Sequence, residues 1–183
     1  QSGHLASSLS CVEILYALYS VKKPNDKIIL SKGHASLALY TVLNNFGYIG
    51  IDTLNTYGMN GTILGGHPDR SIYGVTVSTG SLGHGLSIAC GLAISNKDNH
   101  IFCVLGDGEM NEGSVWEAIM FANHHHLENL TVIIDYNKCQ ATGFTKNIIS
   151  MEQLKLKLIA FLGSFLEIDG HDLFEVREKI NKN

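Results

Sequence analysis

Charge is scarce in this sequence. Only 16% of its 183 residues are Asp, Glu, Lys or Arg, against about 25% in ordinary soluble domains. Hydrophobic residues make up 45%, so much of the surface is expected to lie against a partner. Basic residues are outnumbered 13 to 17, the formal net charge is −4, and no basic cluster occurs. That balance argues against a nucleic-acid partner. No apolar run reaches the roughly 18 residues of a membrane-spanning helix, so no membrane partner is expected. No signal peptide is visible, although the chain starts at Gln1 rather than Met, which leaves room for an upstream segment. The cysteines Cys11, Cys90, Cys103 and Cys139 have neither CxxC nor zinc-like spacing. Three lie in apolar surroundings and read as reduced core thiols of a cytoplasmic protein. Low-complexity segments, repeats and linkers are also lacking. The length fits one domain with a substantial core.

What is present alternates between helical and strand patterns. Ser10 to Ser20 carries Cys11, Ile14, Leu15 and Leu18 at helical spacing. Pro24-Asn25-Asp26 marks a turn before the short strand Lys27 to Leu30. Ala35 to Phe46 reads as a helix and Gly58 to Gly66 as a glycine-rich loop. Leu82 to Ser95 is a helix rich in small residues, suited to close packing. Ile101 to Leu105 and Leu130 to Ile134 are short, β-branched and apolar, so both read as buried strands. A helix over Glu112 to Leu127 joins them, with Val115, Ala118, Ile119 and Ala122 on one face. An irregular polar stretch follows Asn137, then a helix around Met151 to Ala160, a strand over Phe165 to Ile168 and a last amphipathic helix from Leu173 to Ile180. The class is α/β, with a mostly parallel sheet and helices on both faces.

The strand–helix–strand segment carries the sharpest chemical signal. Gly106-Asp107-Gly108-Glu109 follows the first strand, and Asn137 follows the second, thirty residues on from Asp107. Both fall at carboxyl ends of neighbouring parallel strands, where open α/β sheets bind ligands. Asp107 offers a carboxylate oxygen, Asn137 an amide oxygen, and the backbone just beyond, at Cys139, a carbonyl. Three such oxygens leave an octahedral Mg²⁺ positions for phosphate oxygens and water. Gly106 and Gly108 allow a tight turn and close approach of a ligand. The following helix N-terminus favours an anion. Gly-Asp-Gly alone is a common turn; its pairing with Asn137 is what points to a metal and a diphosphate.

Histidine beside glycine is the second pattern. Gly3-His4, Gly33-His34, Gly66-His67 and Gly83-His84 are separate copies, the first three in or beside loops. Neutral imidazoles offer one donor and one acceptor and titrate near neutrality. Several together suit binding of phosphate and hydroxyl groups and proton transfer in carbonyl chemistry. His84 fits a helix start. His124-His125-His126 fit a helix end, where cationic groups complement the dipole, and adjacent helical positions do not converge on one metal.

Assembled, these residues resemble the diphosphate-binding half of transketolase, in particular the stand-alone N-terminal subunit of split transketolases. The resemblance runs over nearly the whole chain. It rests on Ser2-Gly-His4, Leu30-Ser-Lys-Gly-His34, Gly66-His-Pro68, Thr79-Gly-Ser-Leu-Gly-His-Gly85, Gly106-Asp-Gly-Glu-Met-Asn-Glu-Gly113, Asp135-Tyr-Asn-Lys138 and Ile168-Asp-Gly-His-Asp172, in the family's order. It implies thiamine diphosphate and Mg²⁺ as cofactors, with Asp107, Asn137 and the carbonyl of Cys139 on the metal. It implies Gly108 and His34 at the diphosphate, with Glu109 beside them among the cofactor-binding residues, and Gly80, Ser81 and Leu82 around the rings. His67 would face the reacting carbon, His4 the donor sugar's first hydroxyl, and Glu112 a carboxylate network at a subunit interface. Acids are favoured at a helix start in any case, so Glu112 also fits simple capping.

The implied activity is transfer of a two-carbon ketol unit from a ketose phosphate to an aldose phosphate. Another thiamine diphosphate enzyme, such as a deoxyxylulose-phosphate synthase or the decarboxylating part of a 2-oxoacid dehydrogenase, is the alternative, and a non-catalytic interaction fragment a third. Gly3-His4-Leu5-Ala6 replaces the family's frequent Gly-His-Pro-Gly, and Ser81 and His84 depart from the full-length pattern; both variants fit the split form. The family's ring-binding domain, with its activating glutamate, lies outside these 183 residues. The expectation is therefore one domain over 1–183, truncated at both ends relative to the family, working in a dimer or heterotetramer with a C-terminal subunit.

Overall fold

A computed structural model describes residues 3–150 and 153–181. Ser2 of the first histidine block and Met151, the expected helix start, lie outside them. In chain order the helices and strands are α1 (Leu5–Leu9), α2 (Val12–Val21), β1 (Lys27–Leu30), α3 (Ser36–Asn45), α4 (Ile51–Asn55), α5 (Gly85–Ser95), β2 (Ile101–Gly106), α6 (Gly113–His124), β3 (Leu130–Asp135), β4 (Cys139–Gln140), β5 (Gly143–Phe144), α7 (Thr145–Ile148), α8 (Leu154–Leu162) and α9 (Leu173–Asn181). Strands β1, β2 and β3 form one parallel sheet in that order, with Leu30 opposite Val104 and Gly106 opposite Asp135.

Strand side chains alternate between two cores, as a sheet buried on both faces requires. Ile28, Leu30, Phe102 and Val104 pack with Leu15, Leu18, Leu39 and Leu43 of α2 and α3 and with Val176 and Ile180 of α9. Ile29, Ile101, Cys103 and Leu105 face the other way, onto Leu86, Ala89 and Ala93 of α5, Val115 and Ile119 of α6 and Leu158 of α8. Each fully buried Leu or Ile contributes about 1.5–3 kcal/mol. The expected α/β class with helices on both faces is the observed one.

Helix α5 approaches the sheet closely because its first residue lacks a side chain. A Cβ on Gly85 would lie 2.9 Å from the Cα of Ser31. This helix starts three residues later than the sequence pattern implies, since the turn through Gly83 (φ 82°) precedes it.

Gly108 opens a 3-10 turn (Gly108–Asn111), and α6 begins at Gly113, one residue past the expected Glu112, and ends at His124 rather than Leu127. Two other expectations are corrected. The stretch after Asn137 is not wholly irregular, because β4 and β5 pair antiparallel within it. Residues 165–168 form no strand. A cleft of about 1130 Å³, lined by Ile133, Leu158, Phe165 and Leu166 among others, separates them from the outer edge of β3. Phe165 and Leu166 are 38% and 62% exposed. No helix among the described residues is long and apolar enough to cross a membrane.

Candidate active site at the carboxyl ends of the sheet

The three parallel strands deliver their following residues to one edge. Ser31 to His34 follow β1, Asp107 follows β2, and Asn137 follows β3. Gly33 sits where β1 turns away, and a Cβ there would lie 2.8 Å from the carbonyl carbon of Thr79 and 2.9 Å from the nitrogen of Gly80. Only glycine lets the 79–82 loop close down on this turn.

Asp107 is 2% exposed. Its Oδ1 accepts the N–H of Gly108 at 2.8 Å, and its Oδ2 accepts the N–H of Lys138 at 3.0 Å and the hydroxyl of Thr145 at 2.9 Å. Burial raises its pKa despite these hydrogen bonds. Among the described residues no cationic side chain forms an ion pair with it. The Oδ1 of Asn137 accepts the N–H of Cys139 at 2.9 Å. Consecutive N–H groups of one turn, left-handed at Lys138 (φ 64°), thus tie down both candidate ligand oxygens. A buried carboxylate without a counter-charge, beside a fixed amide oxygen, fits a hard cation. Among the described residues no group of three His, Cys, Asp or Glu side chains could hold a metal. An all-side-chain zinc-type site is therefore not what this edge offers. Cys139 itself is exposed; its carbonyl, not its thiol, is the group invoked.

Three of the four glycine–histidine pairs converge. The rings of His4 and His34 meet edge to face, 5.3 Å between centroids. Both His4 and His67 lie close enough to act on the charge of His34. His67 packs against Gly80, where a Cβ would lie 3.0 Å from its ring. Burial first, then Lys32, His4 and His67, push the pKa of His34 down from 6.5 to about 4. His34 is therefore neutral at pH 7, while the exposed His4 and His67 are reachable from solvent. As pH falls, the unfolded chain takes up the His34 proton before the folded chain does. Stability should thus be unaffected by this group above pH 6.5 and should fall between 6.5 and about 4. Urea midpoints measured across that window should decline, and His34→Gln should flatten the slope. An unchanged slope would assign the decline to other groups, such as His100, whose pKa burial also lowers.

The remaining expected residues spread out from this centre. Gly80, Ser81 and Leu82 form the loop beside His67 and lead into α5. Exposed His84 stands at the start of α5 without a side-chain capping bond. Exposed Glu112 precedes α6, also without a side-chain capping bond, at a position where a carboxylate suits the helix dipole. Glu109 is 1% exposed. Its Oε1 accepts the hydroxyl of Ser31 at 2.5 Å and the N–H of Gly83 at 2.9 Å. It clamps two loops of the site to each other rather than facing into it. The rings of His124 and His125 meet edge to face where α6 ends, and His126 follows in a left-handed turn (φ 49°).

Sequence reasoning passed over Lys32 and Asp135. Lys32 is 1% exposed, and its Nζ lies 2.5 Å from Oδ2 of Asp135, itself 6% exposed. The available signal was a lysine and an aspartate directly at the ends of two buried strands, where an unpaired charge would be costly.

The family described as transketolase, thiamine diphosphate binding domain, matches residues 1–183. An apulose-4-phosphate transketolase subunit from Phocaeicola vulgatus is 38% identical over 190 residues, covering 96% of this chain and 68% of the relative. The 6-deoxy-6-sulfo-D-fructose transketolase subunit SqwG of a Clostridium species is 41% identical over 189 residues, covering 95% and 69%. Transketolase from Leishmania mexicana superposes with a TM-score of 0.81 at 26% identity, over 100% of this chain and 35% of its own. The chain thus spans about two thirds of the subunit relatives and about a third of the solved enzyme.

Proposed function

Because the chain belongs to the transketolase family, as its thiamine diphosphate-binding domain, we propose that its strand ends hold Mg²⁺ and the cofactor's diphosphate for ketol transfer. The reaction moves a two-carbon unit from a ketose phosphate to an aldose phosphate. The observation that carries this reading is Asp107, a buried carboxylate with no cationic partner among the described residues, fastened to the same turn as the amide oxygen of Asn137.

Each residue has a task that its setting suits. Asp107 and Asn137 would bind the metal, with the carbonyl of Cys139 as third ligand. Neutral His34 would donate one N–H to a diphosphate oxygen without adding charge, beside the backbone of Gly108. Gly80, Ser81 and Leu82 would form a wall for the cofactor rings. Thiamine diphosphate, when bound, supplies the stabilised carbanion that lets a carbon–carbon bond beside a ketone break and re-form. His67 and His4 would hold the sugar hydroxyls and accept or return a proton at their ring nitrogens. Glu112 would meet a partner's carboxylate network, and Glu109 would keep the two loops in register.

A C-terminal subunit carrying the ring-binding domain would complete the site in a dimer or heterotetramer. The exposed apolar residues Ile88 and Ile94 on α5 and Met120 and Phe121 on α6 suit a covered face. The relatives' names mention different sugars; for this chain we propose the sugar phosphates of the pentose phosphate pathway, in the cytoplasm.

Assembled with such a subunit, the chain should transfer ketol units between pentose phosphates in the presence of Mg²⁺ and thiamine diphosphate, and should not decarboxylate pyruvate. Alone it should show no turnover. Pyruvate decarboxylation in place of ketol transfer, or turnover by the isolated chain, would overturn this reading.

A further inference from the structure

The side-chain amide of Asn137 has two faces, and only the oxygen can serve a cation. Its Nδ2 lies 3.2 Å from Oγ of Ser10 and 3.4 Å from Oδ2 of Asp135. Oδ2 of Asp135 also accepts the Ser10 hydroxyl at 2.6 Å and Lys32 Nζ at 2.5 Å. Lys32 Nζ donates in addition to Ser10 Oγ at 3.2 Å and to the carbonyl of Ser7 at 3.2 Å.

The proton count in this cluster permits one amide orientation. An ionised carboxylate only accepts, and an ammonium only donates. The hydroxyl of Ser10 has a single proton, and both acceptors within its reach, Asp135 Oδ2 and the carbonyl of Ser7, compete for it. What Ser10 and Asp135 present to Asn137 is therefore lone pairs. An amide NH₂ meets them favourably, whereas an amide oxygen would face two acceptors. On the opposite side the N–H of Cys139 requires an acceptor, which only the amide oxygen supplies.

We propose that Lys32, Ser10 and Asp135 are positioning residues for the candidate metal site. Lys32 holds the Asp135 carboxylate in place, and Asp135 and Ser10 turn the oxygen of Asn137 toward the Asp107 side. This rests on the Mg²⁺ reading of Asp107 and Asn137. The cluster links α1–α2, β1 and β3, so it makes the ligand geometry depend on three separate elements.

Ser10→Ala removes one acceptor of the amide without stranding a charge. On the assembled enzyme with thiamine diphosphate, Mn²⁺ titrated by electron paramagnetic resonance reports metal affinity without reference to turnover. Ser10→Ala should weaken Mn²⁺ binding by about 10–100-fold and broaden the bound-Mn²⁺ spectrum. In an Asn137→Ala background it should have no further effect, because its influence passes through that amide. Mn²⁺ affinity within about twofold of wild type for Ser10→Ala, while Asn137→Ala binds poorly, would overturn the positioning role alone. The same loss from Ser10→Ala in both backgrounds would overturn it too, marking a general structural effect. Wild-type affinity in Asn137→Ala would remove the metal reading itself.

Discussion

Asp107→Asn is expected to abolish metal-dependent retention of thiamine diphosphate. Groups one step removed from a metal typically cost 10–100-fold in affinity when mutated; a direct ligand should cost more, so a loss beyond about 100-fold is expected. The substitution keeps the shape of the side chain and removes its negative charge. It also sets an amide NH₂ either against the N–H of Gly108, which now donates to Oδ1, or against the N–H of Lys138 and the hydroxyl of Thr145, which now donate to Oδ2. Calorimetric titration of the assembled protein with the cofactor and Mg²⁺ measures the effect, and circular dichroism checks that the fold is kept. Affinity within about threefold of wild type in a folded variant would mean that Asp107 is a structural turn residue and nothing more.

Lys32→Met should produce the largest loss of stability of any single change in this cluster. Removing the ammonium strands the carboxylate of Asp135 at 6% exposure, with Ser10 and Asn137 as its remaining partners. Breaking a buried pair from one side costs about 3–5 kcal/mol, a large part of the roughly 5–15 kcal/mol that holds an ordinary domain together. Chemical denaturation of the full chain tests this, and a loss under about 1 kcal/mol would show that the pair is not the internal support described. The double change Lys32→Met with Asp135→Leu removes both charges and should recover most of the stability. It would not restore the orientation of Asn137, so folding would return while Mn²⁺ affinity stayed low.

Which parts of the molecule could be read from the sequence follows from how local their causes are. Strand β1 falls at the expected bounds, because Ile28, Ile29 and Leu30 form an apolar run closed by polar residues. Strands β2 and β3 each extend one residue further than the apolar pattern, into Gly106 and Asp135, since ladder pairing continues past the last hydrophobic side chain. The convergence of His4, His34 and His67 was legible as repeated glycine–histidine pairs, but not the edge-to-face contact or the neutral state of His34. Residues 165–168 carry a strand-like pattern, yet pattern alone does not place them beside β3; a neighbouring backbone must come within hydrogen-bonding distance, and it does not. The meeting of Lys32, Ser10 and Asp135 was illegible for the same reason, although a lysine and an aspartate at two strand ends hinted at a pair. Each looks like an ordinary polar residue until three distant segments bring them together.

That distance has a kinetic meaning. The pairing of Lys32 with Asp135 spans 103 residues and that of Ser10 with Asn137 spans 127. Closing such loops is entropically slow, and parallel strand pairing adds no short hairpin to nucleate on. The amide of Asn137 is therefore held only once β1, β2 and β3 have all been laid side by side. A chain emerging from the ribosome can form only the Ser7–Ser10–Lys32 part of this cluster until Asp135 and Asn137 have been made, so competence to take up a ligand is acquired together with the whole sheet.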